Sequence, residues 1–134
     1  MQETLSQLED FVKNCCQHRP NGARFVFLGL DPSELDSIEE LNKKYEVEYY
    51  DQYFARNLSA TYLDHSLDLV YIHRIDHSRD PIEAIYQWGS KLKGGGAIAG
   101  WGYNDRTIKA SLLRIIGDCP SRWPDIWALP IVVP

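Results

Sequence analysis

LDLVYIHRIDHSRDPIEAIYQWGSKLKGGGAIAGWGY, at residues 67–103, is the stretch that decides the fold. Leu67–Ile72 is a short apolar run with branched and aromatic side chains, which is typical of a buried β-strand. A helix is predicted to begin after Asp80, its N-cap residue, and to end at the glycines 94–96. Ala97–Trp101 is then a second apolar strand. A strand, a crossover helix and a second strand form a right-handed unit in which the two strands are parallel.

We expect a site where these two strands end, because ligands of parallel α/β sheets bind beyond the carboxyl ends of the strands. His73, Asp76 and His77 follow the first strand and are the candidate catalytic residues, since an imidazole and a carboxylate together can act as a general base. With Asp105, which follows the second strand, they could instead bind a metal ion. The third interpretation is a polar loop whose histidines hydrogen-bond the neighbouring strand ends.

Upstream of this unit, Arg24–Leu30 (RFVFLGL) has no polar alternation, so a strand buried on both faces is predicted. Asp31 follows it, and either Asp31 or Ser33 is the N-cap of a helix predicted over Glu34–Tyr45. Glu46–Tyr50 is a further short strand, and Asp51 follows at its carboxyl end.

The remaining segments complete one α/β domain over residues 1–134, with an N-terminal helix and turn in 1–22, an α/β core in 23–105 and a C-terminal helix and edge strand in 106–134. The further predicted elements are a helix over Glu3–His18, a short helix or turn over Phe54–Tyr62, a helix over Thr107–Gly117 and a strand within Ile126–Val133, which Pro130 marks as an edge strand.

Composition limits the class of protein. With 134 residues, of which 44% are hydrophobic and 25% charged, the chain has the size and balance of a globular domain. A net charge of −5 argues against nucleic-acid binding, and we expect no membrane span because no apolar run is long enough. Cys15 and Cys16 are adjacent and the third cysteine is distant, so they form no disulfide framework and no CxxC motif. A cytoplasmic protein without a cleaved signal is predicted, with one cysteine in the core and one beside it.

The segments SLDLVYIHRIDHS and YQWGSKLKGGGAIAGWGY resemble the second half of class I S-adenosylmethionine-dependent methyltransferases. The similarity is greatest to the branch whose fourth strand runs into an Asp and a His-Ser, and whose fifth strand follows KLKPGG and ends in AGHDY. It extends from Phe25 to Asp105. The resemblance implies a Rossmann-like, methyltransferase-type three-layer sandwich with a mostly parallel, shortened sheet, and S-adenosylmethionine as the candidate cofactor.

The resemblance also assigns cofactor-binding positions. Asp31 lies where the family has an acid at the end of its second strand, which binds the ribose hydroxyls of the cofactor. Asp51 lies at the position that faces the adenine of the cofactor in the family, and Tyr103 aligns with the family tyrosine. The spacing from Asp31 to Asp68 fits the interval from second to fourth strand, so the first strand and its glycine-rich cofactor loop are absent. Arg24–Leu30 is therefore predicted to lie next to Leu67–Ile72 in a sheet whose four strands up to Trp101 are parallel. No GxGxxG occurs in the sequence.

Further departures fall at the strand ends. The family's strand-ending aspartate is His73 here, and its His and Asp after the fifth strand are Trp101 and Gly102. These departures favour a degenerate or non-catalytic relative that binds S-adenosylmethionine weakly or not at all, takes a small-molecule ligand and holds no resident metal. An active small-molecule methyltransferase is one alternative, and a metal-assisted enzyme centred on His73, Asp76 and His77 is another.

A homodimer is the expected assembly. Loss of a strand uncovers apolar surface, and such surfaces are usually covered by another chain. The interface is predicted across residues 123–133, and the alternative is a compact monomer in which the N-terminal helix fills the gap. The residues predicted to line the uncovered surface are Phe25, Phe27, Trp123, Trp127 and Ile131.

Overall fold

The structure is a computed structural model, and it describes residues 2–16, 19–36, 38–50, 56–73, 81–103, 105–116 and 125–130. Its helices are α1 (Gln2–Cys15), α2 (Pro32–Leu35), α3 (Arg56–Ser59), α4 (Pro81–Gly89) and α5 (Arg106–Ile116), with a 3₁₀ helix over Glu39–Lys43. Its strands are β1 (Arg24–Leu28), β2 (Glu46–Tyr50), β3 (Leu67–Ile72), β4 (Leu92–Trp101) and β5 (Ile126–Pro130).

The described strands form one sheet in the order β2-β1-β3-β4-β5. The first four are parallel, and β5 runs antiparallel to β4 at the edge. Strand β1 pairs directly with β3, so that Phe25 lies opposite Leu69 and Leu28 opposite Ile72. This confirms the prediction that the two strands become neighbours when one strand of the fold is missing. It also confirms the parallel pairing of β3 with β4.

Helices cover both faces of the sheet because successive strand residues point to opposite sides. Phe25 and Phe27 pack in one cluster with Leu8 and Phe11 of α1. On the other face, residues of the strands pack with side chains from three helices, among them Leu58, Trp88 and Leu112. The result is a three-layer α/β sandwich with a mostly parallel sheet, as the sequence predicts.

The predicted helix over Glu34–Tyr45 is wrong. Among the described residues of this segment the α-helix is confined to Pro32–Leu35, and a separate 3₁₀ helix follows it. Ile38 and Leu41 are both buried, and their three-residue spacing places them on one side of a 3₁₀ turn.

The predicted end of α4 at the glycines 94–96 is also wrong. The helix begins at Pro81 but ends at Gly89, and β4 begins at Leu92 and includes the glycines. Leu92 continues the helical spacing in sequence, yet it pairs with Leu67 in the sheet and is fully buried. Gly96 fits this strand because a Cβ there would lie 2.8 Å from the Asp68 carbonyl oxygen.

Three of the five residues predicted to line the uncovered surface are described by the structure, and all three are buried. Phe25, Phe27 and Trp127 are 1%, 0% and 0% exposed within the single chain, because α1 covers the two phenylalanines and Trp127 packs in the other core cluster. Trp123 and Ile131 lie outside the described residues. Helix α1 covers this part of the sheet, and the homodimer stays a prediction. Among the described helices, none has the length and apolar character needed to cross a membrane.

Candidate functional site

His73 lies at the carboxyl end of β3 and is 4% exposed. Its backbone N–H donates to the Leu28 carbonyl oxygen at 2.8 Å, which extends the pairing of β3 with β1 by one residue. Its Nε2 lies 2.7 Å from Oε2 of Glu34, and its Nδ1 lies 2.9 Å from the Tyr71 hydroxyl. Because a carboxylate only accepts hydrogen bonds, Nε2 carries the hydrogen, and in a neutral imidazole Nδ1 accepts the hydroxyl hydrogen of Tyr71.

Glu34 connects this histidine to the loop after β1. Its second carboxylate oxygen, Oε1, accepts the Asp31 backbone N–H at 2.9 Å. In return, Oδ1 of Asp31 accepts the Glu34 backbone N–H at 3.0 Å and the Ser33 hydroxyl at 2.7 Å. This is a capping box at the start of α2, in which two backbone donors at the helix start are satisfied by side chains of the same turn. The predicted capping role of Asp31 is confirmed.

Aromatic rings surround the imidazole on the α1 side of the sheet. The centroid of the Tyr71 ring lies 5.2 Å from that of Phe11 and 5.8 Å from that of Phe27. The Trp101 ring, at the end of β4, lies 5.2 Å from the imidazole of His73. The described contacts of the histidine thus combine polar bonds to Glu34 and Tyr71 with the rings of Tyr71 and Trp101.

Asp105 and Tyr103 follow β4 and have separate partners. Oδ1 of Asp105 accepts the backbone N–H groups of Thr107 and Ile108, which caps α5. Tyr103 is half-buried, and the Lys109 ammonium lies 5.1 Å from the centre of its ring. The described contacts of Asp105 therefore give it a capping role at the start of α5.

The structure brings Asp31 and His73 together through Glu34, which sequence reasoning missed as a site residue. The pattern Asp-x-x-Glu is a capping-box signature and would have placed Glu34 against Asp31. Its contact with His73 depends on the pairing of β1 with β3. Asp51, Asp76 and His77 lie outside the described residues, and within the described residues no group of three or more His, Cys, Asp or Glu side chains could hold a metal ion.

This arrangement can hold a proton in place, but it offers no free base. Both ring nitrogens of His73 have partners within the chain, and the side chain is 3% exposed. A general base needs to reach the proton that it abstracts. The chemistry available to the described part of this cluster is therefore the stabilisation of two strand ends.

Comparison with solved structures places the fold. A Corynebacterium glutamicum protein determined by the Northeast Structural Genomics Consortium is 12% identical, with a TM-score of 0.55 over 98% of this chain and 81% of that one. The tRNA methyltransferase TrmI from Aquifex aeolicus is 10% identical, with a TM-score of 0.48 over 88% of this chain and 53% of that one. The N-methyltransferase NodS from Bradyrhizobium japonicum is 8% identical, with a TM-score of 0.49 over 95% and 92%.

The chain therefore shares a Rossmann-like α/β fold with the Corynebacterium glutamicum protein, which agrees with the mostly parallel sheet that the sequence predicts. At these identities the likeness is one of fold. No protein-family model matches the sequence, and no curated protein is significantly similar to it.

Proposed function

We propose that this protein is a ligand-binding module with a methyltransferase-like fold that does not use S-adenosylmethionine as a methyl donor. The observation that carries this proposal is the closed network of Asp31, Glu34 and His73 at the carboxyl ends of β1 and β3. Asp31, the residue of this network that the resemblance assigns to the cofactor, is engaged there by residues of its own turn.

The residues present do not fit the cofactor. Asp31 would have to turn its carboxylate towards both ribose hydroxyls, but Oδ1 is held in the capping box, where it accepts from Ser33 and from the Glu34 backbone. Freeing it would break the capping box, and loss of an N-cap interaction costs about 1 kcal/mol. The backbone N–H of Asp31 is likewise occupied by Glu34. The sequence also lacks the glycine-rich loop whose backbone donors would hold the cofactor.

The sequence supports further parts of the proposal. Cys16 is a buried, free cysteine, which suits a reducing, cytoplasmic compartment. The net charge of −5 suits a small-molecule ligand better than a nucleic acid. We extend the proposal to a protein that needs no second copy to complete its core, because α1 covers the sheet face that lies over Phe25 and Phe27.

Calorimetric titration with S-adenosylmethionine and S-adenosylhomocysteine tests the proposal. We expect no saturable heat up to ligand concentrations of ~100 μM. Binding with a Kd below ~100 μM that Asp31→Ala abolishes would overturn it. Asp36→Ala is the matched control, since Asp36 is exposed at the other end of the same short helix. Binding that is lost equally in both variants would point to the helix as a whole.

An active small-molecule methyltransferase is the second candidate function. Half-buried Trp101 and Tyr103 at the end of β4 favour it, because aromatic side chains in this position suit a flat organic ligand. Transfer of a methyl group mainly needs positioning, so the absence of a free base does not exclude it. The same calorimetric titration distinguishes the two candidate functions, since an active methyltransferase requires the cofactor to bind.

A further inference from the structure

A pocket of about 340 Å³ lies beside β2, which is the outermost strand of the described sheet on that side. Arg24 and Glu48 contribute its charged groups, and Tyr50 and Tyr62 contribute hydroxyls. Thr61 and Leu63 complete the lining. Tyr50 and Tyr62 belong to the core cluster that also holds Leu58 of α3, so the pocket opens on the α3 side of the sheet. We call it the β2 pocket.

The hydroxyls of the β2 pocket form a directed chain that ends on a carboxylate. The Tyr50 hydroxyl donates to Oε2 of Glu48 at 3.1 Å, and it lies 2.9 Å from the Tyr62 hydroxyl. Since Tyr50 has one hydroxyl hydrogen and gives it to Glu48, Tyr62 is the donor in the second contact. Burial raises the pKa of Tyr62 well above its usual value, and its hydrogen bond with Tyr50 raises it further. The Tyr62 oxygen therefore stays protonated and can still accept a hydrogen.

Arg24 adds the opposite charge next to this chain. Its Nη2 lies 3.6 Å from Oε1 of Glu48, and its Nε lies 3.3 Å from Oε2 of Glu46. The guanidinium carbon lies 5.8 Å from the centre of the Tyr62 ring. A guanidinium carries five N–H donors in a fixed fork, so donors remain beyond the two that face carboxylates.

These contacts place both signs of charge at the pocket, which disfavours a ligand that carries a single charge. A cation would approach Glu48 but also Arg24, and an anion would approach Arg24 but also Glu48, so either ligand meets a like charge. A neutral hydroxyl group can donate to a carboxylate and accept from a guanidinium at the same time. Adjacent hydroxyls can do this at successive positions, with the Tyr62 oxygen as a further acceptor. Leu63, 79% exposed, offers apolar surface at the rim.

We propose that the β2 pocket binds a small neutral polyol of monosaccharide size. This proposal rests on the proposed function, because it names the ligand class of the binding module. It assigns the ligand to the β2 pocket instead of the cluster of Asp31, Glu34 and His73. Binding in the millimolar range is expected, since the pocket is open and much of its lining is polar.

Backbone amide NMR of the labelled protein tests this with D-glucose, D-mannose, D-ribose and myo-inositol as probes. We expect at least one probe to give saturable shifts at Glu48, Thr61 and Tyr62 below ~100 mM. Sodium acetate and methylguanidinium chloride, at matched ionic strength, serve as the charged comparators and should give none there. If no polyol saturates, or if either charged comparator binds more tightly, the proposal is wrong.

Variants locate the site. Glu48→Gln removes the charged acceptor from an exposed side chain and should weaken polyol binding by about tenfold. Tyr62→Phe removes the acceptor oxygen and should also weaken it. Glu40→Gln is the matched control, because Glu40 forms an exposed ion pair with Lys43 elsewhere on the surface. Polyol binding that is unchanged in Glu48→Gln would overturn the proposal even if Tyr62→Phe fails to fold.

The two titrations can fail separately. Cofactor binding in the calorimetric experiment would overturn the proposed function and leave a positive polyol result standing. Absence of both cofactor and polyol binding would overturn the β2 pocket proposal alone.

Discussion

Oε2 of Glu34 lies 2.7 Å from Nε2 of His73, and the two side chains are 8% and 3% exposed. Glu34 belongs to the short helix after β1, whereas His73 follows β3, so one hydrogen bond joins the ends of two neighbouring strands. The other oxygen of the same carboxylate closes the capping box at Asp31. A single glutamate side chain thus fixes both the loop after β1 and the end of β3.

Removal of this carboxylate should destabilise the fold. We expect Glu34→Ala to lower the free energy of unfolding by about 3 kcal/mol, because it leaves His73 buried without its partner and opens the capping box. Glu34→Gln should cost only about 1 kcal/mol, since an amide oxygen still accepts a hydrogen bond. Urea denaturation followed by circular dichroism measures both.

The matched control for Glu34 is Glu40→Ala. Glu40 and Lys43 form an exposed pair whose side chains are both 76% exposed, and such pairs contribute less than about 1 kcal/mol. If Glu34→Ala and Glu40→Ala destabilise equally, the buried contact with His73 contributes nothing to stability.

Gly100 lies in β4 with no room for a side chain. A Cβ there would lie 2.5 Å from Cζ2 of Trp127 and 2.8 Å from the Ile72 carbonyl oxygen. Gly100→Ala should therefore lower the free energy of unfolding by about 3 kcal/mol, near the upper end of the cost of overpacking. Gly89→Ala is the control, because nothing lies within 4 Å of its Cβ position and alanine favours the helix that it ends. In thermal melting, Gly100→Ala should lower the melting temperature, whereas Gly89→Ala should raise it slightly or leave it unchanged.

Strand positions could be predicted from sequence because apolar runs such as Leu67–Ile72 have few alternatives to a buried strand. The adjacent positions of β1 and β3 in the sheet could be predicted from the number of residues between them. The start of β4 could not, since Leu92 satisfies both the helical spacing of α4 and the strand, and only its pairing with Leu67 decides. Tertiary pairing thus overrode a local pattern.

The candidate sites were harder to predict because their residues meet only through the sheet. Asp31 could be assigned its capping role from neighbouring residues alone. Glu34 and His73 are distant in sequence and meet because β1 pairs with β3. Arg24 and Glu48 meet in the same way, through the parallel pairing of β1 with β2. Local sequence motifs therefore contain no signal for either contact.

The Asp64 carboxyl should titrate below its ordinary value of 3.8. A hydrogen bond from the Lys91 ammonium, at 2.9 Å, is the main cause of this lowered pKa, and the charge of Lys91 adds to it. Because the folded state binds this proton more weakly than the unfolded state, the pair stabilises the fold above the unfolded pKa. That contribution disappears as the pH falls through the lower, folded pKa.

Carbon-detected NMR titration of wild type and Lys91→Met measures this pKa directly. We expect the midpoint of Asp64 to rise towards 3.8 in the variant, and to rise also in wild type when salt screens the pair. Lys43→Met, which removes an exposed lysine from a different pair, should leave it unchanged. An Asp64 midpoint that is the same in wild type and Lys91→Met would contradict the assignment to Lys91.

Cys16 should be unreactive in the folded protein, whereas Cys15 should react. Cys16 is 0% exposed and Cys15 is half-buried, which confirms one core cysteine and one lateral cysteine. Burial raises the pKa of the Cys16 thiol well above its usual range, and only the thiolate attacks a disulfide reagent.

A variant with Cys15→Ser and Cys119→Ser isolates Cys16, and its reaction with a chromogenic disulfide should be at least ~100-fold slower in native buffer than in denaturant. The complementary variant, Cys16→Ser with Cys119→Ser, isolates Cys15 and should react within a few minutes under native conditions, because this thiol lies at the edge of the core. Equal native rates for the two cysteines would mean that α1 does not hold Cys16 against Phe25 and Phe27. In that case α1 would not cover this face of the sheet, and the compact single-chain core would be contradicted.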